Sequence, residues 1–263
     1  MPRHDPFFAK APAGALFVCH VLFSLVLLLP VAPAMAGATT ETAAVRYAVD
    51  GDSVTLADDR PVRLIGINAP ELGRDGAPDQ PLAAAARGRL RELVQGKTVQ
   101  LRFESESRDR HGRWLAHLVL ADGTSAGIAM LKSGLAWAVA IPPNIGEHAA
   151  HQAAEAEARR ARLGVWGHSY YDAHDPAGLT SADTGFRLVR GRVSHVGRSR
   201  KYVYLDMGAR FALRIAHADW QQYFRGRPEA WQDAEVEARG WLADHDGRLH
   251  MTLGHPAMIE RRR

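Results

Sequence analysis

The sequence predicts a mainly β fold with added helices (α+β), built as two small barrels in succession, and three features predict it. Short runs of β-branched and aliphatic residues, closed by Gly, Pro, Asn or Asp, recur from about Thr42 to Leu253. Helix-like composition is confined to three segments of the first half and one short piece of the second. Between the two sets of strands, residues 169–185 mix Ser, Asp, Gly and Pro without periodicity and read as a linker.

The first stretch is removed before any fold argument. Arg3 and Lys10 precede an apolar run from about Ala15 to Leu29, and Ala34-Met35-Ala36 has the small-x-small pattern of a cleavage site. Residues 1–36 therefore read as a signal peptide, and the remainder as exported, periplasmic or secreted, without stable membrane association after cleavage. An uncleaved anchor is the alternative, since the run approaches spanning length. Cys19, the only cysteine, lies inside it, so the mature chain has no disulfide and no thiol chemistry.

The strands of the first barrel are expected at Val45 to Val49, Val54 to Leu56, Val62 to Ile67, Val99 to Phe103 and Trp114 to Leu120, with a short piece at Trp137 to Ile141. A helix from about Gln80 to Val94 has Pro81 in its first turn and Gly96 beyond its last. Ser125 can cap a second helix through Lys132, and Glu147 to Arg162, rich in Ala, Glu and Arg, forms a third, closed by Gly164. This is a five-stranded OB-type barrel with three helices, spanning residues 42–168. The second set runs Arg187 to Ser194, Tyr202 to Asp206, Phe211 to Ile215, Val236 to Leu242 and Leu249 to Leu253, with a short helix near Asp219 to Phe224. That order suits a second, OB-like barrel over 186–258, followed by a frayed basic tail at 259–263. On this division the first barrel is complete by Trp166, and removing the chain beyond about Ala182 should leave it folded.

Charge says little by itself. The whole chain carries +4, and without residues 1–36 the balance is +3. From Gly37 to Tyr170 the signs cancel at sixteen each, whereas Tyr171 to Arg263 has fifteen basic against twelve acidic residues. The cationic excess sits in the second half, where it can add sequence-independent attraction to phosphates.

Three short clusters carry the chemistry: Asp50-Gly51-Asp52, then Arg63 through Asn68-Ala69-Pro70-Glu71, then Asp109-Arg110-His111-Gly112-Arg113. Alone, each reads as a turn or a strand exit. Together they supply what phosphodiester hydrolysis needs: oxygen ligands for a hard cation, planar guanidinium forks for phosphate oxygens, and a carboxylate for water. In order, spacing and setting they resemble the active site of the thermonuclease (staphylococcal-nuclease-like) family, over about residues 45–166.

The resemblance implies a Ca2+-dependent endonuclease that hydrolyses single- and double-stranded DNA and RNA with little sequence preference and leaves 3′-phosphates. It assigns Asp52 as a direct calcium ligand, Asp50 as a supporting carboxylate, and Ala69 as a ligand through its backbone carbonyl. Glu71 would orient or deprotonate the attacking water, and Arg63 and Arg113 would bind phosphate. At Asn68 the family commonly has an aspartate; the amide oxygen can still coordinate, with one charge fewer. That departure keeps open a competing expectation, a non-catalytic nucleic-acid or polyanion binding protein on the same fold. A monomer is expected.

Two further groups are weighed. Glu147, His148, His151 and Glu155 fall at helical spacing, which suits a metal site but suits a polar helix face better. In the second barrel, Arg198, Arg200 and Lys201 mark a basic turn before Tyr202 and Tyr204, which share one strand face. This is either a single-strand surface where bases stack on tyrosine and phosphates meet cations, or a solvated turn beside tyrosines that cover the barrel's own core.

Overall fold

The computed structural model describes residues 39–262. The expected signal peptide lies outside the described residues. The strands β1 (Thr40–Ala48), β2 (Ser53–Leu56) and β3 (Pro61–Leu64) are followed by a short β4 (Ile67–Asn68), the helix α1 (Ala83–Val94), and β5 (Thr98–Arg102) and β6 (Trp114–Val119). These close into a barrel in the order β1-β2-β3-β6-β5, with β3 and β6 parallel and the other pairs antiparallel. Alternation closes it: Val45, Val99 and Leu101 point inward and are buried, while Ala44, Arg46, Thr98 and Gln100 face out.

Three helices accompany the barrel, as expected. The first, α1, buries Ala83, Ala86, Leu90 and Val94, a stripe along one side. It begins three residues later than the expected Gln80, because Leu82 adopts φ 68°, a left-handed conformation that cannot continue into a helix. Leu90 is fully buried, and truncating it to Ala should cost about 2–5 kcal/mol. The second, α2 (Ala126–Lys132), is capped by the Ser125 hydroxyl, which accepts from the Ile128 amide. A short strand β7 (Trp137–Ala138) pairs with β4, and α3 (His148–Arg160) then lies against α2.

The second half contains β8 (Gly185–Arg192), β9 (His195–Arg198), β10 (Tyr202–Asp206), β11 (Phe211–Ala216), α4 (His217–Gln222), β12 (Glu235–His245), β13 (Arg248–Thr252) and β14 (Ile259–Arg261). Its sheet runs β14-β12-β13-β11-β10-β9, with β8 also on β12. Only Val193 and Ser194 separate β8 from β9, so the two act as one bent strand that pairs with β12 at one end and β10 at the other. The circuit β8/β9-β10-β11-β13-β12-β8 repeats the first barrel's order, down to a parallel pair between its third and fifth strands, β11 and β13. This is the expected OB-like arrangement. The residues of the expected frayed tail differ: Ile259 to Arg261 form β14 on β12, and the Arg262 amide donates to the Glu235 carbonyl.

The two halves share buried surface and form one compact unit. Val139 and Ala140, just past β7, belong to the second core, and Trp137 packs on Tyr171 and Phe186 at ring separations of 4.8 and 5.2 Å. The expected linker is therefore packed rather than free: Leu179 is buried, and the Tyr171 hydroxyl donates to the Pro81 carbonyl. Polar contacts cross as well. Arg239 donates to both Glu155 oxygens at 2.6 Å, each side chain 7% exposed, and Glu155 also accepts from the Ala138 amide at 2.7 Å. Glu237 collects Arg159, Arg190 and Arg262, each at 2.5 Å. Desolvation works to raise the Glu237 pKa, but the hydrogen bond from Arg190 and the charges and hydrogen bonds of Arg159 and Arg262 outweigh it and hold it at about 2.

Candidate active site

All six side chains expected at the site, Asp50, Asp52, Arg63, Asn68, Glu71 and Arg113, line one open cleft of about 1520 Å³ on the first barrel. Each is placed by a strand end or a tight turn. Gly51 allows the β1–β2 turn to fold onto the helix: a Cβ there would lie 2.5 Å from the Ala69 Cβ and 2.7 Å from that of Ala86. This close approach drives Asp50 and Asp52 inward, to 6% and 2% exposure.

The acidic floor is tightly wired. Asp50 accepts from the Asp52 amide at 2.9 Å, and Asp52 accepts from the Ala69 amide at 2.7 Å while its Oδ2 meets Arg63 Nη2 at 3.0 Å. Arg63 also donates to the Asn68 side-chain oxygen at 3.2 Å, so Asn68 shares the guanidinium with Asp52. Burial pushes the Asp52 carboxyl up to about 7 and the negative neighbours Asp50 and Glu71 add to this, against the lowering pull of Arg63 and the Ala69 amide. Glu71 opens toward solvent, yet the cleft's partial desolvation, with the Asp50 charge, raises its pKa; Arg63, Arg74 and Arg113 pull the other way. Its amide donates to the Gln80 side chain at 2.9 Å, which ties the Glu71 segment to the turn before α1.

The second guanidinium is held differently. Arg113 Nε donates to Asp109 Oδ2 at 2.7 Å, and the Arg113 and His111 amides donate to Asp109 Oδ1. Against desolvation, these bonds lower the Asp109 pKa. The Nη groups of Arg113 remain for a ligand. Trp114, next in sequence, packs on Phe103 and lies under the guanidinium of Arg108, whose carbon is 4.0 Å from the ring centre.

The donor set suits a hard cation. Carboxylates of Asp52, Asp50 and Glu71, the Asn68 amide oxygen and the Ala69 carbonyl are all oxygens, and a carboxyl driven up by burial is one that a nearby cation would return to its ionised form. Among the cleft residues that went unread in the sequence are Arg74 and Trp241. Arg74 lies in a loop with no periodicity to place it, and Trp241, 40% exposed, reaches the rim from β12, more than a hundred residues away from the motifs.

The basic turn of the second barrel is not part of this cleft. Arg198 is paired with Glu229 at 2.5 Å, while Arg200 and Lys201 are exposed. Tyr202 and Tyr204 are half-buried neighbours 6.1 Å apart on one face, with Arg214 over Tyr202 and His250 beside Tyr204. On α3, His151 and Glu155 are buried rather than part of a polar face, because Glu155 meets Arg239 and His151 meets the barrel.

A small barrel whose mouth joins buried carboxylates to two guanidinium groups defines a class of protein that binds a cation and a phosphate together. Residues 61–168 match the family described as staphylococcal nuclease homologue. The thermonuclease of Staphylococcus intermedius is 32% identical over 129 residues, 48% of this chain and 76% of that protein. The endonuclease YncB of Bacillus subtilis is 33% identical over 129 residues, 47% of this chain and 61% of its own length. A probable endonuclease of Colletotrichum graminicola is 37% identical over 112 residues, 40% of each chain. The chain belongs to the staphylococcal nuclease family. Its match spans between two fifths and about three quarters of these relatives, and the second barrel lies outside the matched family region.

Proposed function

We propose that this protein is an exported, Ca2+-dependent endonuclease that hydrolyses DNA and RNA with little sequence preference and leaves 3′-phosphates. The nuclease class rests on family membership. The observation that carries the rest is the convergence of Asp52, Asn68, Arg63, Glu71 and Arg113 on one cleft. Export rests on the signal-peptide pattern of residues 1–36; among the described residues no helix is long and apolar enough to cross a membrane.

Asp52, Asn68 and the Ala69 carbonyl would hold the cation, with Asp50 supporting Asp52 through its amide. A bound calcium supplies Lewis-acid charge beside the phosphoryl oxygens. Arg63, anchored by Asp52, offers its guanidinium to a phosphate oxygen, and Arg113, steadied by Asp109 beside the neighbouring strand, offers a second. Both stabilise charge that grows in the transition state. Glu71, with a pKa above the ordinary carboxylate range, takes the proton from an attacking water more readily than an unperturbed glutamate would.

The test is incubation of the purified protein with single-stranded DNA, duplex DNA and RNA, with calcium and then with chelator. Calcium-dependent fragments whose 3′ ends resist polymerase extension until phosphatase treatment are expected. Retained nucleic-acid binding without cleavage in calcium would sink the enzyme reading and favour the binding one.

A further inference from the structure

A second cluster of ligating groups lies away from the cleft, between the barrel and its closing helix. His117 on β6, Glu147 at the start of α3 and His151 one turn further on place one donor atom each within 4.8 Å of one another. His117 Nδ1 is 3.5 Å from Glu147 Oε2, and His151 Nε2 is 4.0 Å from the same oxygen. The histidines are 4% and 1% exposed. We propose that His117, Glu147 and His151 form a binding site for a divalent transition metal of the zinc class, which fastens α3 to the barrel.

Three observations carry this. Both ring nitrogens of His151 are buried and, among the described residues, without a hydrogen-bond partner, a costly state for a polar group unless an ion or water completes it. The ring is also pressed into place, since a Cβ at Gly66 would lie 2.3 Å from its Nδ1 and Gly66 has φ 79°, so only glycine lets the imidazole come so near. Third, His117 Nε2 meets Glu104 Oε1 at 2.7 Å. With Nε2 donating, Nδ1 keeps its lone pair toward Glu147 and His151, the carboxylate–histidine support that metal-binding imidazoles commonly have.

The chemistry of the donors selects the ion. Two imidazoles and one carboxylate suit zinc or its congeners, whereas the all-oxygen cleft suits calcium. His151 is buried, a setting that favours the neutral ring a ligand must present. In a tetrahedral site with bonds of ~2.0–2.2 Å, donors stand roughly 3.3 Å apart, so small side-chain rotations would close the present triangle. Water would supply the fourth position. Glu147 also accepts from Arg102, and His148 is turned away, bonded to the Ile145 carbonyl at 2.8 Å. No disulfide can serve the same end, because the only cysteine is Cys19. The site is independent of the nuclease reading.

Cobalt is a suitable probe. The chelator-treated protein, held in excess calcium to occupy the oxygen-lined cleft, is titrated with Co2+ and the visible ligand-field bands are followed. One equivalent should produce low-coordinate bands that one equivalent of Zn2+ erases. His151→Ala should abolish them, Glu147→Gln should weaken cobalt binding at least tenfold, and Glu104→Gln roughly 10–100-fold through loss of His117 orientation. Asp52→Asn should leave them unchanged. If His151→Ala does not fold by circular dichroism, the Glu147 and Glu104 variants decide. Absence of bands in the unaltered protein, bands of unchanged affinity in Glu147→Gln, or their loss in Asp52→Asn each overturns the proposal, the first leaving His117 as a histidine bonded to Glu104 with Glu147 nearby.

Discussion

The two barrels share a strand order and differ in what they bury. In the first, the β1–β2 turn is drawn inward by Gly51, and two aspartates and an asparagine lie under the surface beside an arginine. In the second, the corresponding β9–β10 turn, Ser199-Arg200-Lys201, stands in solvent, and the strands beyond it bury Val203, Leu205, Phe211, Leu213 and Ile215 around an apolar centre. The second barrel's buried charges, Glu237 and Arg239, point at the first barrel. One topology thus hosts the candidate cleft in one copy and a docking face in the other; topology alone assigns neither.

The sharpest way to break that comparison is to remove a guanidinium from each barrel. Arg63→Ala or Arg113→Ala should each lower kcat/KM on single-stranded DNA by roughly 10²–10³ or more, because charge stabilisation at the phosphate is lost. Arg63→Ala also strips Asp52 of its partner, so thermal melts must accompany the rates. Arg200→Ala should change kcat little and act, if anywhere, on affinity and its salt dependence. A near-normal rate for Arg113→Ala, or a collapse of kcat in Arg200→Ala, would place the chemistry elsewhere.

The next largest effect concerns stability. Replacing Arg239 by Met leaves Glu155 buried without its partner and should cost about 3–5 kcal/mol, seen as a lower urea midpoint. Deleting residues beyond Ala182, expected from sequence to be tolerated, should instead destabilise the first barrel, since Trp137, Val139 and Ala140 would lose their cover. A truncated protein that melts like the full chain would show that the shared surface contributes little.

Much of this was legible in the residues, and what was not has a physical cause. Period-two alternation and turn residues placed the strands, and Ser125 and Gly96 marked helix ends, since these signals are local. The cleft residues were legible because three motifs recur together. The packed connection at 169–185 was not, because 3-10 turns have no period and Tyr171 and Leu179 reveal their burial only through distant partners. For the same reason the His151 and Glu155 face looked polar: what buries it is Gly66 and Arg239, 85 residues before and 84 after the side chains they meet.

A third test uses pH. The folded-state pKa of Asp52 is raised to about 7, so the neutral form is favoured on folding; this stabilisation is fully present below the unfolded value near 4 and is lost as pH rises through 7. In chelator, Asp52→Asn should therefore melt higher than the unaltered protein at pH 8, by a few kcal/mol in order of magnitude, and similarly to it at pH 4. Calcium should narrow the gap at pH 8, because a cation compensates the carboxylate. A variant no more stable than the parent at pH 8 would mean that Arg63 already neutralises Asp52 in full.

The smallest expected effect is also the most specific, and it turns on Asn68. This side chain is buried and accepts from the same Arg63 guanidinium that faces Asp52, so its oxygen lies among the proposed cation ligands. Affinity in oxygen-lined calcium sites follows the number of charged ligands, and with a neutral amide here this site should bind near the weak end, roughly 10⁻³ M. Asn68→Asp keeps the shape and adds a charge, so the calcium concentration for half activity should fall toward about 10⁻⁴ M. Maximal rate should move less, since at saturating calcium both proteins present the same arginines and glutamate. The opposing force is Arg63: a new carboxylate at 68 would compete with Asp52 for its guanidinium and could draw it from the phosphate. The two effects separate in one titration, because tighter calcium binding shifts the midpoint, whereas capture of Arg63 lowers the plateau. An unmoved midpoint would take Asn68 out of the ligand set and leave Asp52 and the Ala69 carbonyl to hold the cation with Asp50 behind them.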